Sequence, residues 1–208
     1  MRLAIALPVS DEKVYTQFFL SFMLLDKPEK CHLLYPKTQF HSADIGKIRT
    51  ELCQEALDLH CTHILFLDTD QVYHNHDLIM RLLDHDEDIV GGKVHRRYPP
   101  FEPILNVDQK HVGEEVIERG GLVEVDATGT GCLMIKTDVL RHIPKPWFEF
   151  VEKPDGGHIG EDISFCNKAR EAGYSIYVDC DVTIGHLALI QVGDTLHQIW
   201  KKSRGISS

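Results

Sequence analysis

Apolar residues fall into two rhythms along the chain. Short, nearly continuous apolar runs occupy residues 2–7 (Arg-Leu-Ala-Ile-Ala-Leu), 32–35 and 63–67, each ended by a proline or an acidic turn. Runs of that length mark strands buried on both faces. Between them, Val14, Phe18, Phe22 and Leu25, and then Ile45, Ile48, Leu52, Ala56 and Leu59, recur at helical spacing. This alternation predicts an α/β fold with a parallel sheet covered by helices on both sides. It continues with a helix over about 77–83 and a strand over 88–94.

The pattern then changes. Tyr98-Pro-Pro-Phe-Glu-Pro103 is excluded from regular structure, because three prolines remove backbone donors and restrict their neighbours. Strands are predicted over 122–125 and 132–135, with Gly129-Thr-Gly131 as a tight turn before the second. Residues 144–157 read as loop, 161–173 as a helix ended by Gly173, 175–178 and 182–184 as two short strands, and 196–201 as a terminal helix. No repeat or linker interrupts the 208 residues, so one domain with a mixed second half is expected.

Composition narrows the function classes. The apolar fraction of 43% builds a real core, and 32 acidic against 22 basic residues leave a charge of −10. A broad basic surface for nucleic acid or anionic lipid is therefore not expected. No apolar run is long enough to span a bilayer, and the N-terminus reads as a strand, not a leader. A cytoplasmic protein is the expectation, in the host cytoplasm if the source is viral. The six cysteines form no Cys-x-x-Cys pair and lie mostly in apolar segments, which predicts reduced, buried thiols. His74, His76 and His85 lie in polar stretches and are expected at the surface.

Ligands of open α/β sheets bind at the carboxyl ends of strands. Asp68 and Asp70 stand at such an end, and two carboxylates spaced i, i+2 in a turn can converge on one hard cation. The bland alternative is a solvated turn capping the next helix. His186, after Gly185 at the end of a strand, is either structural or a further metal ligand. Glu161 and Asp162 open a helix, where the dipole favours acids; Asp162 there can also serve as a proton acceptor. Arg49 on the second helix can reach a nucleotide. Arg96 and Arg97, with Lys93, either form a small basic groove or are solvated. Trp147 and Phe148 are either core or a stacking surface.

As a set these residues resemble GT-A fold glycosyltransferases. Asp68-Thr-Asp70 follows a Leu-Phe-Leu strand, Gly160-Glu-Asp162 opens a later helix, Gly185-His186 closes the sheet, and Val125-Asp-Ala-Thr-Gly-Thr-Gly131 precedes an apolar strand. The likeness is strongest to the family-2-like group and to short stand-alone transferases of bacterial viruses, over about residues 2–188. It implies a Rossmann-like three-layer sandwich with a mostly parallel central sheet. The nucleotide-binding half would cover about 1–95 and the acceptor-side half about 96–208. It further implies metal-dependent sugar transfer from a nucleotide-diphosphate donor, a UDP-sugar foremost, with Mn2+ or Mg2+ held by Asp68, Asp70 and His186. Pro8, Val9, Ser10, Arg49, Asp68, Thr69 and Asp70 would bind the donor. Asp162, with Glu161 beside it, would be the catalytic base of an inverting reaction. Tyr35-Pro36-Lys37 stands where family-2 enzymes often carry an Asp that reads uracil. The acceptor, whether glycan, protein or modified nucleic-acid base, would lie against the loops 144–158 and 98–103.

Two other readings share these residues. Phe66-Leu-Asp-Thr-Asp-Gln-Val72 also suits a haloacid-dehalogenase-like phosphotransferase with Asp68 as nucleophile and Asp70 as acid/base. That fold carries its motif on the first strand of the domain, whereas two strand–helix units precede it here. A non-catalytic nucleotide-sugar-binding relative would keep the fold without the chemistry.

Overall fold

The computed structural model describes residues 1–9, 13–37, 44–107 and 110–205. In chain order the elements of the first half are β1 (Leu3–Ala6), α1 (Thr16–Met23), β2 (Cys31–Leu34), α2 (Ile45–Asp58), β3 (His63–Leu67), β4 (Gln71–Tyr73), α3 (Leu78–Asp84) and β5 (Ile89–Val94). Next come β6 (Leu105–Val107), β7 (Lys110–His111), α4 (Glu114–Arg119), β8 (Leu122–Val125), β9 (Ala127–Thr128), β10 (Cys132–Lys136) and α5 (Thr137–His142). The chain closes with β11 (Val151–Glu152), β12 (His158–Ile159), α6 (Glu161–Glu171), β13 (Ile176–His186) and α7 (Asp194–Ser203).

One eight-stranded sheet runs in the order β2-β1-β3-β10-β5-β13-β4, with β8 also paired to β13. β2, β1 and β3 pair in parallel, as do β5 and β13, while β10 lies antiparallel between β3 and β5. Five strands thus point one way, and β10, β4 and β8 run against them. Two small sheets, β11-β12 and β7-β6-β9, stand outside it.

The buried strands explain the layers. Side chains alternate across a strand, so Ala4, Ala6, Ile64 and Phe66 face one core, with Ile48 and Leu52 of α2, Val139 of α5 and Phe165 of α6. Leu3, Ile5, Leu65 and Leu67 face the other, with Phe18 and Phe22 of α1 and Leu78 and Leu82 of α3. The result is the expected three-layer sandwich. Trp147 and Phe148 resolve as core: each is 1% exposed, with the Trp147 indole N–H donating to the Leu140 carbonyl and Phe148 stacked on Phe165. They offer no stacking surface to a ligand.

Several local expectations are corrected. The predicted strands at 175–178 and 182–184 are one strand, β13, whose register against β5 shifts between Asp179 and Thr183. The segment after Asp70 is not a helix needing a cap but β4, three residues paired antiparallel to the end of β13. His85 is not a solvated surface group; its ring lies 2.8 Å from a carboxylate oxygen of the fully buried Asp179. All six cysteines are free, five of them buried, and burial pushes the Cys132 and Cys166 thiols up to about 12.

Candidate active site

The site grows from the β3–β4 reversal. β3 ends at Leu67, and Asp68-Thr-Asp70 turns the chain back so that β4 pairs with β13, Gln71 opposite His186. The Leu187 N–H then donates to the Asp70 carbonyl at 2.8 Å, which clamps the turn to the end of β13. This pairing brings together two side chains 116 residues apart: His186 Nε2 lies 3.4 Å from Asp70 Oδ2.

The turn is held from behind by Gly129-Thr-Gly131. The Gly131 carbonyl accepts the Asp68 N–H at 3.0 Å, and the Tyr73 hydroxyl donates to the Asp68 carbonyl at 2.9 Å. A Cβ at Gly131 would fall 2.0 Å from Nε2 of the buried Gln71, so a larger residue there would have to displace that amide. That segment is a scaffold turn, as its length suggested.

His186 is oriented by its other nitrogen. Nδ1 lies 2.8 Å from the His95 carbonyl, and a carbonyl only accepts, so the proton sits on Nδ1. Nε2 is left facing Asp70. This is the arrangement by which metal-ligating histidines are held. The hydrogen bond with Asp70 lifts the His186 pKa against the opposing effect of burial. Burial alone would raise Asp70, but His186 and the neighbouring charge of Arg97 outweigh it and hold this carboxyl below its ordinary value.

Asp68 faces the other way. Asp44 caps α2 by accepting the Gly46 N–H, which fixes the helix so that Arg49 points inward, 5% exposed. Arg49 Nη2 donates to Asp68 Oδ1 at 3.0 Å, and its Nη1 bonds Glu161 Oε1. Among the described residues Arg49 Nε is buried with no partner. Burial raises Glu161, with Arg49 opposing and the Asp162 charge adding to it. Burial likewise raises Asp162, although Oδ1 accepts the Ile163 N–H at 2.7 Å.

An open cleft of about 670 Å³ gathers Arg49, Asp68, Asp70 and Glu161, whereas His186 and Asp162 stand behind its lining. Its walls include Pro8, Arg49, Asp68, Thr69, Asp70 and Glu161, all anticipated from the sequence. Lys13, Tyr15, Ile45, Arg97 and Phe150 also line it. Arg97 was legible only as a basic residue; the structure places its guanidinium on Asp70 Oδ2, while Arg96 pairs with Glu102 at 3.4 Å. Lys13, Tyr15 and Phe150 carried no motif that would have singled them out. Val9 packs against the second core instead of lining the cleft, and Ser10 lies outside the described residues. Tyr35-Pro36-Lys37 lines a separate hollow, with Lys37 paired to Glu55 at 2.6 Å.

The donor set tests whether a cation fits. Among the described residues no three His, Cys, Asp or Glu side chains form a cage. An imidazole nitrogen and a carboxylate oxygen do converge, with Asp68 two residues away. Small hard cations that bridge phosphates are held by one or two protein carboxylates and complete their shell with substrate oxygens and water. The residues therefore fit manganese or magnesium shared with a diphosphate.

No family model matches the chain, and no curated protein matches it. Solved structures do. A197 from STIV superposes with a TM-score of 0.58 at 16% identity, covering 92% of this chain and 99% of that one. S. aureus TarS in complex with UDP-GlcNAc gives 0.58 at 17%, covering 95% and 61%. GalNAc-T7 with UDP, GalNAc and Mn2+ gives 0.60 at 8%, covering 91% and 44%. At these identities the likeness is one of architecture: the chain has the GT-A glycosyltransferase fold. It spans the whole of A197 but only part of the TarS and GalNAc-T7 chains.

Proposed function

We propose that the chain is a metal-dependent glycosyltransferase that moves a sugar from a nucleotide-diphosphate donor to an acceptor hydroxyl. The observation that carries this reading is the convergence of Asp70 and His186 at the edge of the 670 Å³ cleft, with the imidazole tautomer fixed by the His95 carbonyl. The solved structures of this fold with bound UDP-GlcNAc, or with UDP and Mn2+, support the choice of donor and ion.

Asp70 and His186 would hold Mn2+ or Mg2+, with Asp68 beside them. Bound there, the ion supplies Lewis-acid stabilisation of the charge that grows on the departing diphosphate. Arg49 orients Asp68 through the hydrogen bond from Nη2. Pro8, Thr69 and Tyr15 flank the space for the nucleotide. Asp162, set just beyond Glu161 and raised by burial, takes the proton from the attacking acceptor hydroxyl, as an inverting reaction requires. Glu161, committed to Arg49, orders the wall between donor and base.

The test is a donor screen. Thermal unfolding is followed with each nucleoside diphosphate, with and without Mn2+, and release of the diphosphate is followed with each sugar nucleotide. A nucleotide that stabilises only with metal, UDP first, is the expected result. Failure of every nucleotide and metal pair to stabilise the fold refutes the reading. Hydrolysis of simple phosphate esters without a sugar nucleotide would instead favour the phosphotransferase.

A further inference from the structure

The helix α6 divides two cavities. Glu161 faces the donor cleft, whereas Gly160, Ile163, Asn167 and Arg170 line a second groove of about 580 Å³ on the other side. Asp162 lines neither cavity, but its Oδ1 lies on the side of Gly160, which lines the groove: it would touch a Cβ placed there, at 2.9 Å. The hairpin β11-β12 makes a similar partition, with Phe150 at its start on the donor side and Lys153 and His158 on the groove. The groove thus begins beside the proposed base and follows α6 for about 15 Å, at 1.5 Å per residue.

Its chemistry is distinctive. Asn106 of β6, Asn167, Lys153 and His158 converge on it, and among the described residues none of these four side chains makes a hydrogen bond or an ion pair. At the far end Arg170 pairs with Asp126 at 2.6 Å, so the floor carries both a donor and an acceptor of fixed orientation. Two amides, a carboxylate, two cations and an imidazole present both donors and acceptors. Among the described residues no Phe, Tyr or Trp lines the groove, and nucleobases are held by stacking on such rings in most single-strand sites.

We infer that this groove is the acceptor site and that the acceptor is an oligosaccharide, its hydroxyls held by Asn106, Asn167, Lys153 and the Asp126–Arg170 pair with one hydroxyl presented to Asp162. The inference rests on the transferase reading and names its acceptor class. A chain of several sugars fills the length along α6, whereas a single sugar reaches only the end nearest Asp162. Affinity therefore grows with chain length.

The experiment is a printed array of neutral, amino and acidic glycans from mono- to hexasaccharide, with single-stranded DNA and unstructured peptides as further arms. It is probed with the full chain in the presence of UDP and Mn2+. Retention on oligosaccharides, rising with length, is expected. Asn167→Trp, which fills the groove, should weaken it at least tenfold. Asn106→Ala with Asn167→Ala, a milder change to half-buried positions, should weaken it several-fold and keep the folded thermal midpoint. Retention on DNA or peptide alone, no retention on any glycan, or glycan binding indifferent to both variants would overturn the inference. Stabilisation by UDP and Mn2+, measured on the same preparation, keeps the two readings apart. Glycan binding without nucleotide binding removes the transferase and keeps the groove; nucleotide binding without glycan binding does the reverse.

Discussion

Arg49 and Arg81 each sit between two carboxylates, yet the two clusters differ in how completely their charges are satisfied. Arg81 reaches Asp179 through Nε at 2.5 Å and Nη2 at 3.2 Å, and Asp181 through Nη2 at 2.9 Å. Asp179 also accepts the Asp181 N–H and lies against the His85 ring. Burial pushes Asp179 up, but its partners outweigh that and hold it below its ordinary value. Arg49 is more deeply buried, leaves Nε without a partner, and faces Glu161 and Asp162, whose carboxyls burial raises. The first cluster is closed and ties α3 to β13. The second opens on a cleft, with Glu161 and Asp162 raised above their usual range, a pattern typical of functional sites. Similar chemistry thus ties two elements together in one place and, in the function proposed, serves a reaction in the other, and completeness of pairing distinguishes them.

The sharpest way to test that contrast is Asp162→Asn. Loss of a positioned base lowers turnover by about 10² to 10⁴-fold, so transfer should fall about 10³-fold while the thermal shift by UDP and Mn2+ persists. The rising limb of the wild-type pH profile should lie above the ordinary Asp value, because burial raises this carboxyl, and should vanish in the variant. Wild-type turnover in Asp162→Asn would assign the base elsewhere.

The closed cluster gives the opposite result. Asp179→Ala leaves Arg81 without its main partner and should cost about 2 kcal/mol, the scale of hydrogen bonds to charged groups. In a chain of this size that lowers the midpoint by roughly 4–8 °C, with donor binding intact. Acid sharpens the distinction. A carboxyl depressed in the folded state stabilises above its unfolded pKa and loses that contribution as pH falls through the folded value. The gap between wild type and variant, measured by urea unfolding, should therefore be full at neutral pH and close below about pH 3.8, the ordinary Asp value. A gap unchanged into acid would mean that Asp179 acts through packing, not charge.

The same contrast shows what the sequence makes legible. β1, β3 and α2 announce themselves because each buries a full stripe or both faces, so periodicity alone locates Asp68, Asp70 and Arg49. His186 and Asp162 required the order of motifs along the chain. What periodicity misses is β4: three residues are too few to show a pattern, yet their pairing with β13 is what unites Asp70 with His186. Arg81 and Asp179 are also invisible in sequence, since each reads as ordinary within its own element and only the packing of α3 on β13 joins them. Tyr15 and Phe150 enter the cleft from loops and carry no motif.

Arg97 supplies the finest test of the comparison, because it is a third arginine paired with a carboxylate, the second of them in the site, and a replaceable one. Its side chain is 40% exposed, it lines both the donor cleft and a neighbouring hollow formed with Tyr98, Phe101 and Leu189, and it rests on the same Asp70 oxygen that faces His186. A cation at Asp70 and the Arg97 guanidinium compete for that oxygen. A diphosphate in the cleft offers the guanidinium a second anion. Arg97→Ala should therefore move two affinities in opposite directions, each by about threefold to fivefold, within the ~1 kcal/mol of a solvent-exposed ion pair. Mn2+ alone, titrated by its paramagnetic resonance signal, should bind more tightly to the variant. UDP in the presence of saturating Mn2+ should bind more weakly. Parallel changes in both would mean that Arg97 only shapes the turn, in the manner of Arg81 on β13, and that Arg49 is the sole arginine serving the cleft among these three.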